Sequence, residues 1–236
     1  MTVEGVPVPA DPRDLLTSDA VPASSIPAAV RAQLLATEHW SLLGTRSMTW
    51  SEVMARIGIH LTVASAALVV LALVTQASGF GAEFKVLSIG LASAVLILGT
   101  LTGIRVRNAS MDDAALVAGM NRIRAAYVAM DPTLADHFVT SWHDDTAGVM
   151  QTYTMGIARP LVSHIVGSTL VFMNVVNAIV AGTLGALIAG SANAGPVVVS
   201  LAGLLAGFGY LGASTEVNRR SFATPQLPPH FPTPSN

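Results

Sequence analysis

Long apolar tracts without a charged residue dominate the pattern of the chain. Two of them hold 26 and 19 residues, at 57–82 and 86–104, and a third holds 56 residues, at 160–215. A helix rises about 1.5 Å per residue and needs roughly 20 residues to cross a hydrocarbon layer of about 30 Å. The third tract is too long for one crossing and contains a turn-forming cluster at 190–196, so it predicts a hairpin. The sequence therefore predicts four spans, at 57–76, 86–104, 161–188 and 197–214.

The spans are predicted to be helices rather than the strands of a membrane barrel. A barrel strand alternates apolar and polar residues over about ten positions, whereas residues 66–74 are apolar throughout. We expect an all-α, polytopic membrane protein with transmembrane hairpins at 57–104 and 160–215. A helical cytoplasmic layer, formed by 28–56 and 105–159, joins them.

Apolar residues at helical spacing continue outside the spans. The row ahead of the first span predicts a juxtamembrane helix that runs into it. In the central loop, a first helix is predicted to begin near Ser110, with Asp113 completing an approximate capping box. A second is predicted to begin at Asp131 and Pro132 and to reach Trp142, and a third leads into the next span. Their apolar rows need cover from the juxtamembrane helix, a second subunit or the bilayer surface.

Composition excludes a water-soluble globule. Only 11% of the 236 residues are charged and 52% are hydrophobic, whereas a soluble domain carries about 25% charged residues. The 12 basic and 14 acidic residues leave no positive excess for a nucleic-acid surface. The absence of cysteine excludes disulfides, thiolate nucleophiles and thiolate zinc sites.

Basic residues lie on one side of the predicted spans. Nine arginines flank the span ends that face the termini and the central loop, whereas the two short connections contain one basic residue, Lys85. Because basic flanking segments stay in the cytoplasm, we expect both termini and the central loop there. The Pro-rich ends, 1–27 and 216–236, lack apolar periodicity and are predicted to be disordered tails.

Two segments resemble a known family. Residues 36–46 (ATEHWSLLGTR) and 119–127 (GMNRIRAAY) are similar to stretches of an uncharacterised family of four-span membrane proteins from high-GC Gram-positive bacteria. The resemblance covers roughly residues 31–220. It implies a location in the bacterial inner (plasma) membrane and assigns no chemical role to either segment.

The densest group of metal-ligating residue types is His143, Asp144 and Asp145. Imidazole and carboxylate together can hold Zn, Mn or Fe. Adjacent helical residues point in different directions, so convergence on a metal would need a bend or a second helix bringing Glu38 and His39. We favour a solvated polar turn that caps a helix, and we predict no metal or other cofactor.

Two histidines, His60 and His164, lie about one turn inside the cytoplasmic ends of spans one and three. Ionisable side chains at similar depth could form a proton-binding site, since such groups are costly in lipid unless they are used or paired. Near the interface that cost is small, so we favour anchoring or hydrogen bonding.

Asn174 and Asn177 lie three residues apart on one side of span three. A carboxamide that faced lipid would leave its donors and acceptors unpaired. We expect both residues to join helices to one another, with the lining of a polar route as the alternative.

Span four carries small residues at Ser200, Gly203 and Gly207. This spacing lets another helix backbone approach closely, so we predict helix packing there. Gly207, Gly209 and Gly212 also match the spacing of a dinucleotide fingerprint, but no strand precedes them and no helix start could face a phosphate.

Taken together, the residues favour a non-enzymatic membrane protein that acts by self-assembly or partner interaction through its cytoplasmic helices. The predicted partners are the lipid bilayer and a second copy or another membrane protein. A channel or transporter subunit with a polar route along span three is the alternative, and a membrane enzyme is third. No P-loop or Gly-x-Ser-x-Gly elbow supports an enzyme.

Overall fold

A computed structural model describes residues 26–157, 167–223 and 228–234. Within these ranges the chain forms helices and no strand, which confirms the predicted all-α class. The helices are α1 (Ala28–Ser78), α2 (Ala82–Met130), a 3₁₀ helix (Pro132–His137), α3 (Thr146–Thr154), α4 (Thr169–Ser191) and α5 (Pro196–Ala223).

Four of these helices, α1, α2, α4 and α5, are long and apolar enough to cross a membrane. Large apolar side chains such as Leu68, Leu205 and Phe208 are exposed on their outer faces. Lipid is the solvent that such faces match, because it removes the cost of exposing them to water. The predicted start of span three lies outside the described residues, but the 23 residues of α4 alone cover about 35 Å.

α1 and α2 are continuous rods that extend well beyond the membrane. They contain 51 and 49 residues, or about 75 Å each. The prediction that a new helix begins at Ser110 is wrong, because the Ser110 hydroxyl donates to the Val106 carbonyl inside the uninterrupted α2. Val106, Ala109 and Val117 are all buried, so one apolar face continues through this region and gives α2 no reason to break.

The segment after α2 is less helical than predicted. Asp131 caps the next turn by accepting the backbone N–H of Thr133, as expected. That turn is a 3₁₀ helix that ends at His137, so the predicted helix to Trp142 is wrong. The Ser141 hydroxyl accepts the His143 backbone N–H, and a local bond of this kind competes with helix formation.

The two hairpins have different turns. Gly79, after α1, has φ +68°, a conformation that side chains with a Cβ rarely adopt. The second turn lies within the predicted 190–196 cluster, and Pro196 opens α5 as expected. The long helices pack in chain order: α1 on α2, α2 on α4, and α4 on α5.

α4 and α5 are in close backbone contact. A Cβ added to Gly203 would lie 3.1 Å from the Gly182 carbonyl oxygen, and one added to Gly207 would lie 3.0 Å from the Ala178 carbonyl oxygen. The predicted glycine surface therefore faces α4 of the same chain. Ser200, in contrast, is exposed.

The α4–α5 contact predicts a position-specific response to added volume. Gly185→Leu should destabilise the protein by about 1–3 kcal/mol, because a Cβ there would lie 2.7 Å from the Ala206 Cβ. Gly209→Leu is the matched control, since nothing lies within 4 Å of a Cβ at that position. Thermal unfolding in mild detergent measures both, and equal melting temperatures would contradict this packing.

Candidate functional site

A buried carboxylate outside the membrane joins α1, α2 and α3. Asp113, only 3% exposed, accepts Arg46 Nε at 2.6 Å and Trp50 Nε1 at 2.8 Å, both from α1. Tyr153 of α3 donates its hydroxyl at 2.6 Å. The predicted capping role of Asp113 is therefore wrong, because this carboxylate binds side chains in the middle of a helix.

The electrostatics of this cluster favour the charged form of Asp113. Burial alone would raise the pKa of this carboxyl, but the hydrogen bonds from Arg46, Tyr153 and Trp50 hold the pKa below its ordinary value. The hydrogen bond from Arg46 to Asp113 raises the pKa of Arg46. Burial, together with the hydrogen bond from Tyr153 to Asp113, raises the pKa of Tyr153. The cluster therefore keeps its charges throughout the neutral pH range.

A second carboxylate joins α1 and α2 nearer the lipid. Glu52 accepts Arg105 Nη2 at 2.7 Å and Arg56 Nε at 2.8 Å. These hydrogen bonds lower the pKa of Glu52 to about 2. Because Glu52 is largely exposed to solvent, its contribution to stability is small, but it marks where the charged ends of both helices begin.

The His143, Asp144 and Asp145 group binds the C-terminal segment of the chain. The Asp144 carboxylate accepts the backbone N–H groups of His230 at 2.9 Å and Phe231 at 2.7 Å. Asp145 accepts the backbone N–H of Thr233 at 2.9 Å. Residues 228–234 are thus held by hydrogen bonds, which differs from the predicted disordered tail at 216–236.

Asp144 and Asp145 also have local structural roles. Asp145 caps α3 by accepting the Gly148 backbone N–H at 2.8 Å, which confirms the predicted cap. The turn is not solvated as predicted, because the Asp144 side chain is fully buried. Arg122 donates to Asp144 and also to the Pro228 carbonyl oxygen. Burial alone would raise the pKa of both aspartates. The hydrogen bonds that they accept outweigh this effect, so both pKa values lie below the ordinary value.

The metal interpretation of this group has no support within the described residues. No three His, Asp or Glu side chains there converge as metal ligands. His39 lies on α1 beside Arg124, and its burial and that charge lower the pKa of His39. The carboxylates of Asp144 and Asp145 are directed to protein donors instead.

A polar cluster lies inside the membrane part of the bundle. His60 of α1 and Asn177 of α4 are fully buried, and they meet across α2 at Gly99, where an added Cβ would overlap Asn177 Oδ1 and His60 Cε1. The Asn177 side chain donates a hydrogen bond to the Tyr210 hydroxyl at 3.2 Å. The Tyr210 hydroxyl in turn lies 3.1 Å from the Thr100 hydroxyl. At this level α2, α4 and α5 are therefore joined by polar side chains, and the His60 ring of α1 is buried against them at Gly99.

This cluster retains unused hydrogen-bonding capacity. Both ring nitrogens of His60 and the Oδ1 atom of Asn177 have no partner among the described residues. His60 is fully buried and its ring forms no hydrogen bond to a described residue, which differs from the anchoring or hydrogen bonding that we favoured. His164, the second histidine of the alternative proton-binding site, lies outside the described residues. Asn177 bonds α4 to α5, the role we expected for it.

Asn174 lies one turn closer to the N-terminal end of α4. Its side chain forms no hydrogen bond to another helix among the described residues, which differs from the predicted role, and it lines a cavity of about 240 Å³ between α2, α4 and α5. The cavity is a second candidate site beside the buried cluster. Its lining residues are Thr100, Gly103, Ile104, Arg107, Asn174, Tyr210, Ala213, Ser214, Val217 and Asn218.

Several residues of these sites were missed by sequence reasoning. Asn121 is fully buried, where it donates to the His143 carbonyl oxygen at 2.7 Å and accepts the Thr152 hydroxyl at 3.0 Å. A single asparagine in a helical pattern gives no signal of such burial, because its partners come from other elements. No sequence pattern singles out Gly99 or Tyr210, because both matter through contacts with side chains of other helices.

The Asp113 cluster predicts that removing Asp113 destabilises the protein more than removing its neighbour Asp112. Asp113→Ala should destabilise the protein by about 1.5–3 kcal/mol, since it removes charge-assisted hydrogen bonds and leaves their donors partly buried. Asp112→Ala is the matched control, because the Asp112 side chain is 62% exposed and lies 3.7 Å from Arg105. Chemical unfolding in detergent compares them, and equal losses would contradict a central role for Asp113.

The bound C-terminal segment predicts a change in amide hydrogen exchange. Asp144→Asn should speed exchange in 228–234 by about 10- to 100-fold, the equivalent of one charge-assisted hydrogen bond. Asp136→Asn, at an exposed position, should leave exchange unchanged. In the wild type the segment should stay bound above the ordinary carboxyl pKa of 3.8 and be released as the pH falls through the lowered value. Fast exchange in the wild type at pH 7 would contradict this binding.

No protein-family model, curated protein or solved structure matches this chain. Its function is therefore inferred from its own residues and geometry.

Proposed function

We propose that the protein is a non-enzymatic integral membrane protein that acts by self-assembly through its extramembrane helices. The observation that carries this proposal is a row of exposed apolar side chains on α1 ahead of the first span. Leu34 is 60% exposed and Met48 is 68% exposed, and Val30 is exposed on the same row. We refer to Val30, Leu34 and Met48 as the α1 row.

The α1 row lies on the side of the helix that no described segment covers. Positions 30, 34, 41, 44 and 48 repeat at helical spacing. Arg46 and Val53 lie on the other side, where they contact α2 through Asp113 and the buried core. The intervening residues, Ser41 and Gly44, are small, which would let a neighbouring helix approach.

A second copy is the partner that fits this row best. Copies in one membrane have the same orientation, so a twofold axis along the membrane normal brings the α1 row of one copy beside the α1 row of the other at the same height. Such a twofold contact is self-complementary. Exposed apolar surface of this kind typically marks an interaction site.

We also infer that the protein belongs to the bacterial inner membrane, with both termini in the cytoplasm. The arginines that flank the spans on one side support this orientation. The resemblance of residues 36–46 and 119–127 to four-span membrane proteins of high-GC Gram-positive bacteria supports the bacterial location.

Single-cysteine crosslinking tests the self-assembly, and the natural chain has no cysteine to interfere. Leu34→Cys and Met48→Cys should each form a disulfide-linked dimer in membranes, because a twofold axis beside the α1 row brings equivalent Cβ atoms to within bonding range. Leu42→Cys is the control, since the Leu42 side chain packs at Gly119 of α2. The measurement is the dimer fraction on a non-reducing gel.

Two results of the crosslinking experiment would count against an interface at the α1 row. Equal crosslinking at position 42 would indicate random collision rather than an interface. A monomeric mass in native lipid, together with no crosslink at either row position, would contradict self-assembly.

A channel or transporter subunit remains the second candidate because His60, Asn177 and Tyr210 form a polar cluster inside the bundle. In the other half of the membrane, however, α4 and α5 are in backbone contact at Gly182 and Gly203. A route within one subunit would therefore end at the cluster. Ion or proton flux across proteoliposomes above the protein-free background would favour this candidate.

A further inference from the structure

The cavity between α2, α4 and α5 contains a buried carboxamide without a partner. Asn174 is 7% exposed and lines the cavity, yet its side chain makes no hydrogen bond to any residue in the described part of the chain. Asn177, one turn away on the same helix, does bond to Tyr210. The carboxamide atoms of Asn174 are open to the cavity rather than sealed in the packed interior, so they are available to a ligand there.

A cation lines the same cavity. Arg107 forms no ion pair with any described residue, whereas Arg46, Arg105 and Arg122 each bind a carboxylate. The cavity therefore holds one uncompensated positive charge beside the N–H donors of Asn174. This combination is complementary to an oxygen anion.

The rest of the lining combines polar side chains, those of Thr100, Tyr210, Ser214 and Asn218, with apolar ones that are open to the lipid. Ile104 is 40% exposed and Val217 is 46% exposed, and Gly103 and Ala213 lie beside them in the lining. From Thr100 to Arg107 the lining of α2 rises about 10 Å. The cavity thus runs from the Thr100 and Tyr210 hydroxyls to Arg107, and the apolar side chains of Ile104 and Val217 lie along its lipid-facing side.

The volume of the cavity favours a lipid headgroup over a larger ligand. The volume of about 240 Å³ is below the range of roughly 300–1,000 Å³ typical of pockets for drug-sized ligands. A phosphate ester fits this space when its acyl chains remain outside, along Ile104 and Val217. Basic pockets between membrane helices are known to bind anionic headgroups in this way.

We propose that this cavity binds the phosphate group of an anionic phospholipid, held by Arg107 and Asn174 while the acyl chains pack along Ile104 and Val217. Inorganic phosphate offers the same oxygen anion without the acyl chains, so it should bind much more weakly. The site is separate from the α1 row and does not depend on self-assembly.

The test uses the full chain in nanodiscs made from equal amounts of dioleoyl phosphatidylglycerol and dioleoyl phosphatidylcholine. Native mass spectrometry after transfer to detergent should find phosphatidylglycerol retained on the wild type, one per cavity. Arg107→Gln and Asn174→Asp should each reduce this retention by about 10- to 100-fold, the effect of losing one charge-assisted hydrogen bond. Asn174→Asp keeps the shape of the side chain and places a negative charge against the phosphate.

Two further variants separate binding from folding. Arg107→Lys should restore most of the retention, because it keeps the positive charge. Arg31→Gln removes an exposed arginine outside the cavity and should leave retention unchanged. Melting temperatures in detergent should agree among the variants within a few degrees, so that a loss of lipid is not a loss of fold.

Three results would overturn the proposed lipid site. Equal retention by the wild type, Arg107→Gln and Asn174→Asp would exclude this cavity as the lipid site. Retention of phosphatidylcholine at the same level as phosphatidylglycerol would exclude recognition of the negative charge. Protection of the delipidated protein by millimolar inorganic phosphate, without any retained lipid, would assign the cavity to a free anion instead.

Discussion

Hydrocarbon cannot hydrogen-bond a peptide group, and this constraint determines the rest of the structure. Each segment that crosses the membrane must satisfy its backbone internally, so α1, α2, α4 and α5 are all helices. Their outward side chains face lipid and contribute no specificity. The specific contacts are therefore confined to the surfaces between helices and to the parts that extend beyond the membrane.

Beyond the membrane, three carboxylates connect the elements at increasing distance from the lipid. Glu52 joins the charged ends of α1 and α2, Asp113 joins α1, α2 and α3, and Asp144 joins α2 to the C-terminal segment. Each accepts a hydrogen bond from an arginine of another element or another turn. Because burial makes an unpaired carboxylate costly, Asp113 and Asp144 strongly favour one arrangement of their neighbours, whereas the exposed Glu52 contributes little.

Within the membrane, the two halves of the bundle differ in kind. Near the charged end, Asn177 donates a hydrogen bond to Tyr210, the His60 ring is buried at the same level, and Asn174 lines a cavity. Toward the other end, glycines bring α4 and α5 together at Gly182 and Gly203. The proposed lipid site lies in the polar half, and the proposed contact with a second copy lies on the apolar α1 row outside the membrane.

The sequence alone determined the all-α class, the four spans, the Asp131 and Asp145 caps and the opening of α5 at Pro196. These features follow from local rules, namely charge-free length, backbone capping and the restricted φ of proline. Only the tertiary structure decided that Asp113 binds Arg46 rather than capping a helix, that Gly203 faces Gly182, and that Asp144 holds the C-terminal segment. Each of these contacts joins residues from different elements, and the hydrophobic pattern of one segment carries no information about which polar partner another segment will bring to it.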